Sequence, residues 1–99
     1  MARINYHDGT LQVPDRPDIP CIAGDGIGPD IMRATQLVID AAVAKACGGK
    51  RALAWRELLA GEKALAQGRD ILGDDVLAEI TACRVALKGP MTTPVGGGF

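Results

Sequence analysis

The chain is 99 residues long and 47% hydrophobic, and it carries 11 basic against 12 acidic residues for a formal net charge of −1. A mean hydropathy of +0.12 excludes a chain disordered by composition, and near-neutral charge with no basic run beyond Lys50-Arg51 excludes nucleic acid as an expected partner. Cys21, Cys47 and Cys83 are odd in number and widely spaced, with no Cys-x-x-Cys pair, which excludes a zinc ribbon or a disulfide framework and predicts reduced thiols in a cytoplasmic setting.

No apolar stretch is long enough to span a bilayer, so no membrane partner is expected either. Tyr6, Trp55 and Phe99 are the three aromatic residues, which leaves a core of Ile, Leu, Val and Ala. Residues 4–7 and 10–13 alternate apolar with polar around Asp8-Gly9, the two-residue signal of a tight hairpin. Pro14, Pro17 and Pro20 punctuate an extended lead-in. Residues 19–23 then read as a short buried strand that runs into Gly24-Asp25-Gly26-Ile27-Gly28-Pro29. A helix starts there, because proline suits the first helical position and Asp30 suits the positive end of the dipole. Ile31, Ala34, Val38, Ala41, Ala42 and Ala46 continue it at helical spacing, and Gly48-Gly49 ends it.

Residues 52–59, with Leu53, Trp55 and Leu58 among polar neighbours, predict a second strand. Residues 61–68 hold a short helical turn in which Glu62-Lys63 reads as a helix-start ion pair. Asp74-Asp75 opens a further helix bearing Val76, Leu77 and Ile80, and reads as its N-terminal cap. Residues 84–87 predict a third strand that ends at Lys88-Gly89-Pro90. Cys21 and Cys83 read as small core residues on buried strands, and His7 as a surface residue of the hairpin. The order strand, helix, strand, helix, strand predicts an α/β layer with parallel strands. Residues 1–99 read as the incomplete N-terminal portion of a larger α/β domain, with the hairpin and lead-in in residues 1–18 and, in residues 19–99, the strand-helix-strand-helix-strand run and the start of a glycine-rich loop.

Two glycine-rich segments stand where open α/β sheets bind ligands, beyond the carboxyl ends of strands. The first, residues 24–28, lacks the spacing of a dinucleotide fingerprint and the Gly-Lys-Ser/Thr of a phosphate loop. It reads either as a tight strand-to-helix turn or as one wall of a site. The second is Lys88-Gly89-Pro90-Met91-Thr92-Thr93-Pro94-Val95-Gly96-Gly97-Gly98. Its hydroxyls, lysine and close-approach glycines suit a polar, anionic small molecule, and its plain alternative is a long surface turn in which Lys88 is solvated. If the first and third strands are neighbours, the two segments converge.

Residues 19–30, Gly61-Glu62-Lys63 and residues 84–98 together resemble the isocitrate/isopropylmalate dehydrogenase family, and within it the bacterial NADP-dependent isocitrate dehydrogenases. The likeness keeps its order from about residue 4 to residue 99. It departs in a slightly shorter stretch between Lys63 and Arg84 and in Phe99, where an aliphatic residue is usual. The resemblance implies the family's own non-Rossmann α/β fold, and oxidation of isocitrate by NADP followed by loss of carbon dioxide to give 2-oxoglutarate. It also implies a Mg or Mn ion and a homodimer. Carried over residue by residue, it assigns Thr92, Lys88 and Ile27 to the cofactor side. It assigns no catalytic and no metal-binding residue to this chain, since the family's substrate, acid–base and metal groups follow later. The expectation is therefore an N-terminal fragment, inactive alone. The alternatives are a non-catalytic α/β remnant, or the same chemistry on isopropylmalate or homoisocitrate.

Overall fold

The computed structural model describes residues 2–92. Asp8 and Gly9 both take positive φ, 48° and 77°, the backbone a primed two-residue turn requires. They fold β1 (Asn5–His7) back onto β2 (Thr10–Gln12), with Tyr6 opposite Leu11. Every residue of this hairpin is exposed, and it forms a two-stranded sheet of its own. His7 lies 3.3 Å from the Asp8 carboxylate at the surface, as its position in the sequence predicts.

The main sheet is built on β3 (Asp18–Ile22), whose five residues are all buried. The chain leaves it into α1 (Gly28–Ala46), returns as β4 (Ala54–Glu57), and passes through α2 (Glu62–Ala66) and α3 (Asp74–Cys83) to β5 (Leu87–Lys88). Both outer strands run parallel to β3, in the order β4–β3–β5. The predicted parallel α/β layer is thus present, and the first and third predicted strands are neighbours.

Pro20 sits in this central strand without breaking it. The carbonyls of Pro17 and Cys21 accept from Ala54 and Leu58, so odd residues of β3 face β4. Asp18 donates to the Ala2 carbonyl and Ile22 accepts from Gly89, so even residues face the other edge. Successive residues of a strand hydrogen-bond to alternate sides. The missing N–H of Pro20 therefore falls between Ala2 and β5, where it removes no ladder bond.

The same alternation sorts the core onto two faces. Cys21 and Ala23 pack with Met32 of α1, joined by Trp55 and Leu87. Ile22 packs with Ala60 and with Val76 of α3, joined by Leu58, Ile80 and Met91. Helix α1 is pinned to its face by a 2.9 Å hydrogen bond from the Trp55 indole to Asp40. Its outer side leaves Leu37 and Val38 exposed.

Four local expectations are corrected. The third strand begins at Leu87 rather than at residue 84, because Arg84 takes a left-handed φ of 69° and closes α3 through its N–H to the Ile80 carbonyl. Cys83 is accordingly the last residue of α3, fully buried but not on a strand. Asp74 and Asp75 lie in the first turn of α3, whose N-cap is Gly73 with no side-chain cap. Asp75 pairs with Arg69 instead, and Lys63 pairs with Glu57 on β4 rather than with Glu62.

Glu79 joins three parts of the chain. Its Oε1 accepts from Arg56 at 2.8 Å, Arg3 at 3.4 Å and the Cys83 thiol at 3.5 Å. Partial burial pushes the Glu79 carboxyl up, but the Cys83 hydrogen bond and the two guanidinium groups outweigh it, so it titrates below its ordinary value of 4.5. The Arg69 hydrogen bond likewise holds Asp75 below 3.8. A carboxyl with a lower pKa folded than unfolded stabilises fully above its unfolded pKa, and that contribution is lost as pH falls through the folded value. The urea midpoint of the chain should therefore hold between about pH 7 and about pH 5 and decline below about pH 4.5. Glu79→Gln should lower the neutral midpoint and flatten the acid decline. Parallel acid limbs in variant and parent, followed by circular dichroism, would assign the decline to other groups.

Candidate functional site

The turn after β3 and the segment after β5 meet at main-chain distance. Gly24 has φ +87° and no side chain, and a Cβ there would stand 2.1 Å from the Pro90 carbonyl oxygen. That contact distance is open to glycine alone. The Asp25 N–H donates to the same Pro90 oxygen at 2.7 Å, and the Gly28 N–H donates to the Asp25 carbonyl at 2.8 Å, setting the entry to α1. Pro29 stands in the first turn and Asp30 follows it, as the helix-start signals predict.

Asp25 itself is 6% exposed. Its Oδ1 accepts from the Glu62 N–H at 3.0 Å and its Oδ2 from the Thr92 N–H at 2.8 Å. Gly61 makes room for it: φ there is +76°, and a Cβ would lie 2.9 Å from each carboxylate oxygen. A buried carboxylate is costly unless its oxygens are bonded, and charge-assisted bonds from main-chain N–H groups are among the stronger means of doing so. One side chain thus ties together the ends of three segments: the turn after β3, the start of α2 and the stretch after β5.

Thr92, Lys88 and Ile27 all lie at this end of the sheet, and all are exposed. Thr92 is held by its main chain on Asp25. Lys88 ends β5 in register with Ile22, and its ammonium donates to the neighbouring Gly89 carbonyl at 3.0 Å. Ile27 is the N-cap residue of α1, 68% exposed. The structure therefore brings together the two loops that carry these residues. Thr93-Pro94-Val95-Gly96-Gly97-Gly98-Phe99, the rest of the glycine-rich stretch, lies outside the described residues. The sequence placed Asp25 in a turn that reads either as a plain strand-to-helix connection or as one wall of a site, and gave Asp25 no task. The signal was an acid between two glycines immediately after a buried strand, together with Gly61 ahead of Glu62.

A separate cleft of about 370 Å³ opens on the α1 face between Met32, Gln36, Trp55 and Lys63. None of Thr92, Lys88 or Ile27 lines it. Cys21 does, but burial, and then Glu57, push its thiol up, and burial does the same to Cys83. Neither thiol is poised as a nucleophile. All three cysteines are free.

Residues 18–98 match the model of the isocitrate/isopropylmalate dehydrogenase family. The chain belongs to that family. Among similar curated proteins is the "Isocitrate dehydrogenase [NADP]" of Coxiella burnetii, 52% identical over 99 residues covering 98% of this chain and 23% of the relative. Those of Staphylococcus epidermidis, at 51% over 97 residues, and Streptococcus mutans, at 47% over 97 residues, cover 98% of this chain and 23% and 25% of the respective relatives. The crystal structure of isocitrate dehydrogenase from Methylococcus capsulatus superposes with a TM-score of 0.63 at 40% identity, over 83% of this chain and 22% of that one. The chain therefore spans about a quarter of the length of the relatives it matches. Its parallel α/β layer is the family's fold, as the resemblance implied.

Among the described residues, no three His, Cys, Asp or Glu side chains gather to hold a metal ion. No described helix is long and apolar enough to cross a membrane.

Proposed function

We propose that this chain supplies the cofactor-side loops of an enzyme that oxidises isocitrate with NADP and releases carbon dioxide and 2-oxoglutarate. The enzyme works in the cytoplasm as a homodimer, and these 99 residues do not complete the reaction by themselves. A divalent Mg or Mn ion belongs to that chemistry, with its ligands elsewhere in the full enzyme. The similar proteins of Streptococcus mutans, Staphylococcus epidermidis and Coxiella burnetii are all named as NADP isocitrate dehydrogenases. The one observation that carries the reading is the junction itself, where the Thr92 main chain is anchored on Asp25 across the turn that holds Ile27.

The residues present fit a dinucleotide. NADP is polar and polyanionic, and the rim offers an exposed hydroxyl at Thr92 and an exposed ammonium at Lys88 whose hydrogen bond goes to its own neighbour. Ile27 adds an exposed apolar side chain. In this reading the three contact the cofactor, and the buried Asp25 does not.

The test uses an enzyme that carries this segment as its N-terminal quarter, assayed by NADPH absorbance with isocitrate and Mn. Turnover with isocitrate is expected, and turnover with isopropylmalate in its place would overturn the substrate assignment. Thr92→Val keeps the β-branched shape and deletes the hydroxyl. Loss of one neutral hydrogen bond costs about 0.5–1.5 kcal/mol, so the KM for NADP should rise roughly two- to tenfold. The KM for isocitrate should change less. An unchanged KM for NADP would return this loop to scaffolding.

A further inference from the structure

Two carboxylates are buried among the described residues, and they are buried in different ways. Asp18 lies at the amino end of β3, and its Oδ2 has no hydrogen-bond partner. Asp25 lies at the carboxyl end, and each of its oxygens accepts a main-chain N–H from another segment. The ladder between β5 and β3 ends with Gly89 donating to Ile22, and Pro90 is fixed by the Asp25 N–H. Beyond Pro90, the main-chain hydrogen bond that holds the described chain to the body is the one from Thr92 to the Asp25 carboxylate.

We propose that Asp25 is a positioning residue for the cofactor side of the site. Its carboxylate sets where Thr92 stands relative to the turn bearing Ile27, and through Thr92 it sets affinity for the dinucleotide. This rests on the reading of Thr92 as a cofactor contact. The requirement is for two acceptor oxygens on one short side chain. Asparagine has the same shape but one acceptor, so it turns an NH₂ group toward one of two main-chain donors. Glutamate adds a methylene, which moves its oxygens off the positions, 2.9 Å from a Cβ built at Gly61, that the Asp25 oxygens hold.

The experiment uses the enzyme carrying this segment. The unsubstituted enzyme is first assayed with isocitrate, Mn and NADP, which decides the functional reading by itself. Asp25→Asn is then compared with it in two ways: deuterium exchange in the peptides containing Glu62 and Thr92, and the separate KM values for NADP and isocitrate. Exchange at both amides should quicken, and the KM for NADP should rise about tenfold while that for isocitrate moves by less than about twofold. A fall in thermal midpoint with an unchanged KM for NADP overturns the proposal, because a purely structural residue would give that result. Unchanged exchange at Thr92 also overturns it. If the unsubstituted enzyme does not turn over isocitrate, titration with NADP alone replaces the KM, and the same two outcomes decide.

If Asp25→Asn does not fold, Glu62→Pro reads the same linkage from its other side. Glu62 is the first residue of α2, where proline is tolerated, and the substitution removes its N–H together with an exposed side chain. A rise of about threefold in the KM for NADP is expected from a carboxylate left with one donor. No rise overturns the proposal.

Discussion

Gly24→Ala should destabilise the fold by about 3 kcal/mol or more, and Gly26→Ala in the same turn by only about 1–2 kcal/mol. Both positions have positive φ, +87° and +56°, so both variants meet the backbone strain of an L-residue in the left-handed region. They differ in what the new methyl group meets. Around Gly26 nothing lies within 4 Å, whereas at Gly24 the Pro90 carbonyl oxygen would be 2.1 Å away and the Gly89 carbonyl carbon 2.9 Å away. Those atoms are main chain and can move only by pulling β5 and the Thr92 segment away from β3. Gly24→Ala should therefore also raise the KM for NADP, and Gly26→Ala should leave it closer to the parent. Urea denaturation of the two variants side by side checks this, and equal losses of stability would show that the close approach to Pro90 contributes nothing.

Ile22→Ala should cost about 2–5 kcal/mol, the range for emptying a packed aliphatic site. Ile22 is 2% exposed and packs with Ala60 and Val76, with Leu58, Ile80 and Met91 against the same cluster. Met91 lies one residue before Thr92, so the void opens beneath the loop as well as beneath α3. A conservative Ile22→Val should lose about 0.5–1.5 kcal/mol and keep the KM for NADP close to that of the parent. The thermal midpoints of both variants test the ordering, and a loss in Ile22→Ala no larger than in Ile22→Val would show that the surroundings collapse to fill the void.

Much of this architecture is legible in the sequence because its signals are local. Asp8-Gly9 marks the hairpin, Pro29 and Asp30 mark the start of α1, and Gly48-Gly49 marks its end. Pro20 could have argued against a central strand. The buried run around it won, since its missing N–H points at a gap in the ladder. What the sequence did not mark was decided by partners far along the chain. Arg84 looks like the start of an apolar strand, but the helix before it closes through that residue. Asp74 and Asp75 look like caps, yet Asp75 is taken by Arg69. The candidate site divides the same way. Composition and position pointed to the two loops, whereas the side chain that binds them to each other became visible only when residues 25, 62 and 92 were seen side by side.

That three-way junction also bears on the order in which the molecule comes together. The two bonds to the Asp25 carboxylate close loops of 37 and 67 residues, the first spanning β4 and the second spanning β5 as well. Closing long loops delays the reward of a contact until the entropy of the intervening chain has been given up, and parallel sheets carry that delay in full. Hairpin and helices rest on near neighbours and can appear early. The rim that carries Thr92 and Ile27 is instead expected to form late, after the sheet it stands on.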